Sequence, residues 1–222
     1  MLALLDGLPL ALAQAGAYMN ENLTSIETYT RLYKEQWKDL MGSQDARHAP
    51  LRNYARGSVA TTWIISFSAI KAKSEAAANL LLLWSHLDNK GMWRGLLSAA
   101  PSKSDVAAER ISAWIGDIAK EETEFIEAIA LLRRYSLIED MEDQYGYAMH
   151  PVVHQWAYHV QDEESQTTLS WISIIVLGLA VPGSDSETYF PVMNRLIPHV
   201  MHSLRWIKKI SAIKLSDELL NW

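Results

Sequence analysis

The chain has 222 residues, 49% of them hydrophobic and 21% charged, with a formal net charge of −6, which is material for one large or two small globular domains. The negative sign disfavours nucleic acid as a partner, since such a surface needs basic residues to displace counterions from phosphates. The absence of cysteine excludes a disulfide framework and a thiolate metal site, and a reducing, cytoplasmic location is expected.

The first predicted element is a helix opened by Asp6 as N-cap, with Pro9 in the first turn, where a missing N–H costs nothing. Leu5, Leu8, Leu12, Ala15 and Met19 follow its period. Thr24-Ser25-Ile26-Glu27 reads as a capping box for a second helix with the stripe Ile26, Tyr29, Tyr33, Trp37 and Leu40, stopped by Gly42. Residues 42–57, polar and broken by Pro50 and Gly57, form the best candidate linker. Ser58 and Ser74 then cap two helices, one presenting Val59, Trp63, Phe67 and Ile70, the other Ala77, Leu80, Leu81 and Trp84.

A short element over Met92–Leu97 and a loop around Pro101 come next, followed by helices over 105–119 and 122–134. The latter carries Phe125, Ile126, Ile129 and Leu132. Strands at 137–141 and 145–149 flank an acidic turn, Glu142-Asp143-Gln144, and read as a hairpin. His150-Pro151 starts another helix, with proline at a permitted first-turn position. The remainder is helical with a break at Pro182-Gly183-Ser184. Its most apolar run, Leu169–Val181, is interrupted by Ser170, Ser173 and Gly178 and falls short of the roughly 20 residues a membrane span needs. The start of the chain lacks the basic n-region of a signal peptide. No membrane partner is expected. The fold class is therefore mainly α, with one small β-hairpin.

Two pieces carry functional information. Gly7-Leu8-Pro9-Leu10-Ala11-Leu12 opens the first helix, and Met149-His150-Pro151 joins the hairpin to the helix after it. Taken alone, Pro9 is a common helix opener, and His150 is a strand-end cap or a hydrogen-bonded histidine. His150 does sit where free backbone N–H groups and the helix dipole favour an anion, and a neutral imidazole there donates one N–H to a phosphate oxygen. His150, His154 and His159 share a helical spacing, but no glutamate of the H-E-x-x-H type lies between them and no carboxylate cluster completes a shell, so a metal site is not expected. The helix before the hairpin begins Glu121-Glu122-Thr123-Glu124, an unfavourable surface for the DNA major groove. Neither a G-x-x-x-x-G-K-[ST] phosphate loop nor a G-x-S-x-G nucleophile motif occurs, so the chain is not expected to be an enzyme.

In this order, the two pieces resemble the second half of the NB-ARC module of STAND-type NOD-like receptors, with a tryptophan-rich, fungal character. The resemblance implies an ARC1-like helical bundle over residues 1–41, the linker 42–57, a winged-helix, ARC2-like domain over 58–160, and a helical lead-in to a tetratricopeptide-like array over 161–222. Asn194-Arg195-Leu196-Ile197-Pro198-His199-Val200 resembles that lead-in. It further implies that Pro9 lies against the adenine of ADP and that His150 reaches its β-phosphate. Both contacts would need the nucleotide-binding domain of the same parent protein, whose phosphate-loop half these residues lack. ADP or ATP would bind the parent, and no cofactor is expected for this chain alone. Further partners would be proteins, met through helical repeats. The third position of the MHD-type motif is Pro151 rather than aspartate, which removes one contact of the family pattern. A winged-helix transcriptional regulator on DNA, and a helical scaffold that has lost the switch, are the alternative readings.

Overall fold

The computed structural model describes residues 2, 4–5, 7–42, 58–141 and 146–211. Among these residues run α1 (Pro9–Glu21), α2 (Ile26–Gly42), α3 (Ser58–Lys73), α4 (Glu75–Trp84), α5 (Arg94–Lys103), α6 (Asp105–Ile115), a 3₁₀ turn (Gly116–Ala119) and α7 (Glu122–Arg134). They are followed by β1 (Ile138–Asp140), β2 (Tyr147–Met149), α8 (Pro151–His159), α9 (Glu163–Ala180) and α10 (Tyr189–Ser211). The mainly α fold with one small hairpin is thus the observed one. The expected linker between α2 and α3, and the acidic tip of the hairpin, lie outside the described residues. None of the described helices is long and apolar enough to cross a membrane.

The centre of the molecule is α4. Its sequence, Glu-Ala-Ala-Ala-Asn-Leu-Leu-Leu-Leu-Trp, is built from strong helix formers. The Ser74 hydroxyl accepts from the Ala77 N–H (3.1 Å) and caps it. Ala77, Ala78, Leu80, Leu81, Leu83 and Trp84 are all buried, so apolar residues point to several sides, as in a helix surrounded by others. Accordingly α3, α6, α7, α8 and α9 all pack against it. α1 and α2 pack on α3, α9 covers α5, and α10 lies on α9. One apolar core runs from Leu5 to Leu196. Trp156 of α8 tilts against Trp63 (5.8 Å between ring centres) and meets Phe67 edge-on (5.6 Å).

α1 is also tied to the core by polar groups. At its C-terminal end, Glu21 accepts from Lys73 Nζ (3.0 Å) and pairs with Arg134 Nε (3.1 Å). The Lys73 hydrogen bond, helped by Arg134, holds the Glu21 carboxyl below the usual carboxylate range. The Tyr135 hydroxyl donates to Asn22 Oδ1 (3.1 Å) beside this cluster.

Several elements depart from the sequence reading, each for a physical reason. Asp6 lies outside the described residues. The N-cap position of α1 is Leu8, in extended backbone with no side-chain cap, and Pro9 is the first helical residue. Pro101 lies inside α5 rather than in a loop: it sits near the C-terminal end, and buried Leu96, Leu97 and Ala100 hold the helix on the core around it. The expected 105–119 helix breaks at Gly116, whose φ of 58° is in the left-handed region and tightens the chain into the 3₁₀ turn. Ile26, expected in the apolar stripe of the second helix, is 57% exposed, and Ile126 is 54% exposed. In α7 the buried residues are Phe125, Ala128, Ile129, Leu131 and Leu132, and Ile126 lies about 100° round the helix from Phe125.

The chain from Ser85 to Gly91, after α4, is irregular, with Ser85, His86 and Leu87 buried and Asp88, Asn89 and Gly91 half-buried, so its backbone groups need partners. Some are local, in and beside the last turn of α4, and the others come from distant elements. Trp84 Nε1 donates to Asp88 O (3.0 Å), His154 Nε2 to Leu87 O (2.9 Å), and Ser203 Oγ to His86 O (3.1 Å). The Asp88 N–H donates to His199 Nδ1 (3.1 Å), whose Nε2–H points to Gly91 O (3.4 Å). Asn89 brackets Met149: its side-chain amide donates to Met149 O (2.9 Å), and its carbonyl accepts from the Met149 N–H (2.7 Å). Nearby, Arg195 of α10 stacks 4.1 Å over the Trp93 ring.

Two predictions follow from this packing. Leu81→Ala is expected to destabilise the fold by about 2–5 kcal/mol, read as a shift of the denaturant midpoint with an unchanged slope; a loss below about 0.5 kcal/mol would remove α4 from its central role. The second concerns acid. Burial lowers the His199 pKa from 6.5, and Arg195 and His154 push the same way, against Asp88 and the Gly91 carbonyl. The unfolded chain therefore binds more protons around this pH. Stability is complete above pH 6.5 and is lost as pH falls below that value. Thermal melting from about pH 7.5 to about pH 5 should show this loss, with a smaller slope in His199→Gln; identical slopes would exclude His199 as the titrating group.

Candidate functional site

The two sequence motifs meet at one cleft. It has a volume of about 400 Å³ and is lined by Leu10 and Ala13 of α1, by Arg133 and Ser136 at the end of α7, by residues 137–140 along β1, and by His150. The size is within the range of small-molecule sites. α1 contributes through Leu10 and Ala13. Pro9 is exposed on the same helix and is not among the lining residues.

What fixes the α1 wall is Gln14, a buried polar residue between Ala11 and Ala15 of the helix's buried face. Its side-chain carbonyl lies 3.3 Å from Thr62 Oγ1 on α3, which shares its one proton with Val59 O (2.7 Å), and its amide donates to Ser136 O (3.4 Å). Ser136 has a φ of 54°, a conformation that favours glycine and costs a side chain about 1 kcal/mol. It ends α7 in a left-handed cap, with the Leu137 N–H bonded to Leu132 O (3.2 Å) and the Ser136 N–H to Arg133 O (2.8 Å). Gln14 thus joins the helix bearing the first motif to the turn that launches β1.

β1 and β2 pair antiparallel in the register Ile138↔Met149, Glu139↔Ala148 and Asp140↔Tyr147. Met92 extends the ladder: its N–H donates to Tyr147 O (3.1 Å) and its carbonyl accepts from the Tyr147 N–H (2.8 Å). His150 follows directly. It is exposed and occupies the N-cap of α8, where Nδ1 accepts from the Val152 N–H (3.3 Å). A neutral ring that accepts at Nδ1 carries its proton on Nε2. Nε2 is therefore a donor. Pro151, at the first helical position, contributes neither a carboxylate nor an N–H.

Arg133 supplies a permanent cation to the cleft lining. Its guanidinium meets Asp140 Oδ2 at 2.6 Å, with both side chains about half exposed (49% and 53%). The other histidines have structural surroundings. His154 is buried, donates to Leu87 O, and meets His202 edge-on, with ring centres 5.1 Å apart. His159 packs edge-on against Tyr158. Among the described residues, no three His, Cys, Asp or Glu side chains are placed to hold a metal ion. On α7 the exposed face carries Glu122, Glu124 and Glu127, and its two terminal arginines are engaged with Asp140 and Glu21. A second cleft of about 410 Å³ opens on that acidic side, between Lys73, Ser74 and α7.

Sequence reasoning singled out His150 and the first turn of α1, and missed Gln14, Asp140 and the pairing of Arg133. A glutamine inside an apolar stripe was the available signal for the first. For the ion pair, the hairpin register had to be known.

A search among characterised proteins finds similarity to a nucleotide-binding leucine-rich repeat (NLR)-like protein of the fungus Hyaloscypha variabilis, 29% identical over 154 residues. The match covers 67% of this chain and 14% of that protein. No protein-family model matches the chain, and no solved structure matches it significantly.

Proposed function

We propose that this chain is the regulatory part of an NB-ARC signalling switch in a longer protein. Residues 1–41 act as the ARC1-like bundle, 58–160 as the winged-helix, ARC2-like domain, and 161–222 as the lead-in to a helical repeat array that meets protein partners. The observation that carries the reading is the cleft, which joins α1 of the first motif to His150 of the second. The likeness to a fungal NLR-like protein supports it.

In this reading the cleft faces the nucleotide-binding domain of the parent, and ADP is held between the two. ADP supplies a flat adenine and a charged diphosphate when bound. On this side, Pro9 at the exposed first turn of α1 offers an apolar ring with no donor to desolvate, and the Nε2–H of His150 offers a hydrogen bond to a phosphate oxygen. The donor chemistry at His150 fits a phosphate. The chain hydrolyses nothing itself. Its clamp regulates by preferring the ADP-bound, resting arrangement to the open one, since a ligand shifts an equilibrium only by its differential affinity. Release of the clamp would free the winged-helix unit and permit oligomerisation in innate-immunity or cell-death signalling.

The test is the nucleotide content of the longer protein. His150→Ala is expected to lower co-purifying ADP several-fold and to raise basal signalling, as loss of a hydrogen bond to a charged group costs about 1.5–3 kcal/mol. Unchanged ADP content with silent signalling would remove His150 from the site. In a separate titration, the chain alone should bind ATP no tighter than millimolar; micromolar affinity would show a complete site here and sink the shared-clamp reading.

A further inference from the structure

We propose that Arg133 is a second phosphate-binding group of this cleft, and that Asp140 is its internal competitor, holding the guanidinium until a ligand phosphate replaces the carboxylate. The inference rests on the anion reading of the cleft given above and assigns it a residue outside both sequence motifs.

Arg133, in the last turn of α7 before β1, and His150, directly after β2, line the same cleft at the open end of the hairpin, where Ile138 pairs with Met149. One brings the fork of a guanidinium, the other an Nε2–H. Together they make a two-donor set suited to a diphosphate. Against it stand two carboxylates in the same lining, Glu139 and Asp140. With both ionised and His150 neutral, the lining has one more negative than positive charge and repels a phosphate. Asp140 is the decisive one because it occupies Arg133 directly, at 2.6 Å. The pair is half exposed, so water screens it and the side chains separate at small cost. Phosphate, although tetrahedral, offers the guanidinium two oxygens for the same bidentate contact that a carboxylate makes, with more charge. Exchange of one for the other is therefore the route by which this cleft accepts an anion.

The proposal gives the two ends of one ion pair opposite signs. Inorganic pyrophosphate is titrated into the full chain at constant ionic strength, because exposed charges are salt-screened, and followed by NMR at the arginine Nε–H and histidine ring signals. The intact chain is expected to bind in the millimolar range. Asp140→Asn should bind about fivefold tighter and Arg133→Gln about tenfold or more weaker, the loss expected for a charge-assisted hydrogen bond. Arg133→Lys, which keeps the charge but not the fork, should fall between. Glu139→Gln makes the same change in net charge on the same strand without touching Arg133, and its gain should be markedly smaller. Thermal melting of each variant confirms that it folds.

The proposal is overturned if Asp140→Asn and Arg133→Gln shift affinity in the same direction, if Glu139→Gln tightens binding as much as Asp140→Asn, or if no form binds pyrophosphate. Loss of binding in His150→Ala with no change in either Arg133 or Asp140 variants overturns it while leaving the anion reading of His150 intact.

Discussion

The structure depends on how one buried stretch of irregular backbone is satisfied. Between α4 and α5 only the N–H groups of Ser85, His86 and Leu87 find carbonyls in the last turn of α4, and the other backbone groups must find partners elsewhere. An unpaired buried backbone group costs about 1–3 kcal/mol, so each of these positions constrains what packs on it. Leu87 O takes His154, His86 O takes Ser203, the Asp88 N–H takes His199, and Asn89 takes both backbone groups of Met149. Apolar burial gives α8 and α9 a reason to cover α4, and α10 a reason to lie on α9. These directional bonds decide in which register they do so.

The same stretch sets the candidate site. Met149 is held on both sides by Asn89, and His150 is the next residue, so the histidine is aimed by a rigid frame although its own ring is exposed. On the opposite wall Gln14 performs the matching task, pinning α1 to the left-handed Ser136 turn from which β1 departs. Two amide side chains, the buried Gln14 and the half-buried Asn89, thus hold the two walls of the cleft. The aromatic interior supplies bulk without such direction. Trp63 and Trp156 pack closely while their indole N–H groups find no protein acceptor, so they contribute burial rather than orientation.

Helix positions were legible from the sequence wherever a cap and a stripe coincided. Ser74 with the leucines of α4, and the glutamates and Phe125 stripe of α7, are cases in which local preference and tertiary packing agree. Where they disagreed, packing won: Pro101 remains helical because Leu96, Leu97 and Ala100 face the core. Gly116 ended α6 because the backbone required a positive φ that periodicity does not report. For the site, the motifs pointed to α1 and His150, but the cleft is completed by Arg133 and Asp140, which are brought together by the strand that separates them. The partners of residues 85–91 were invisible for a deeper reason. A polar side chain such as His199 or Ser203 reads as surface until the backbone group it serves is known.

The order in which the chain is made gives the irregular stretch a further meaning. Its partners lie as far as 117 residues downstream, at Ser203, and 111 at His199. Contacts of such sequence separation form late, because the entropy of closing the intervening loop must be met first. Until α10 has emerged and docked, the His86 and Gly91 carbonyls and the Asp88 N–H lack these partners and rely on water. The last described helix therefore completes the bonding of a stretch that the earlier elements satisfy only in part.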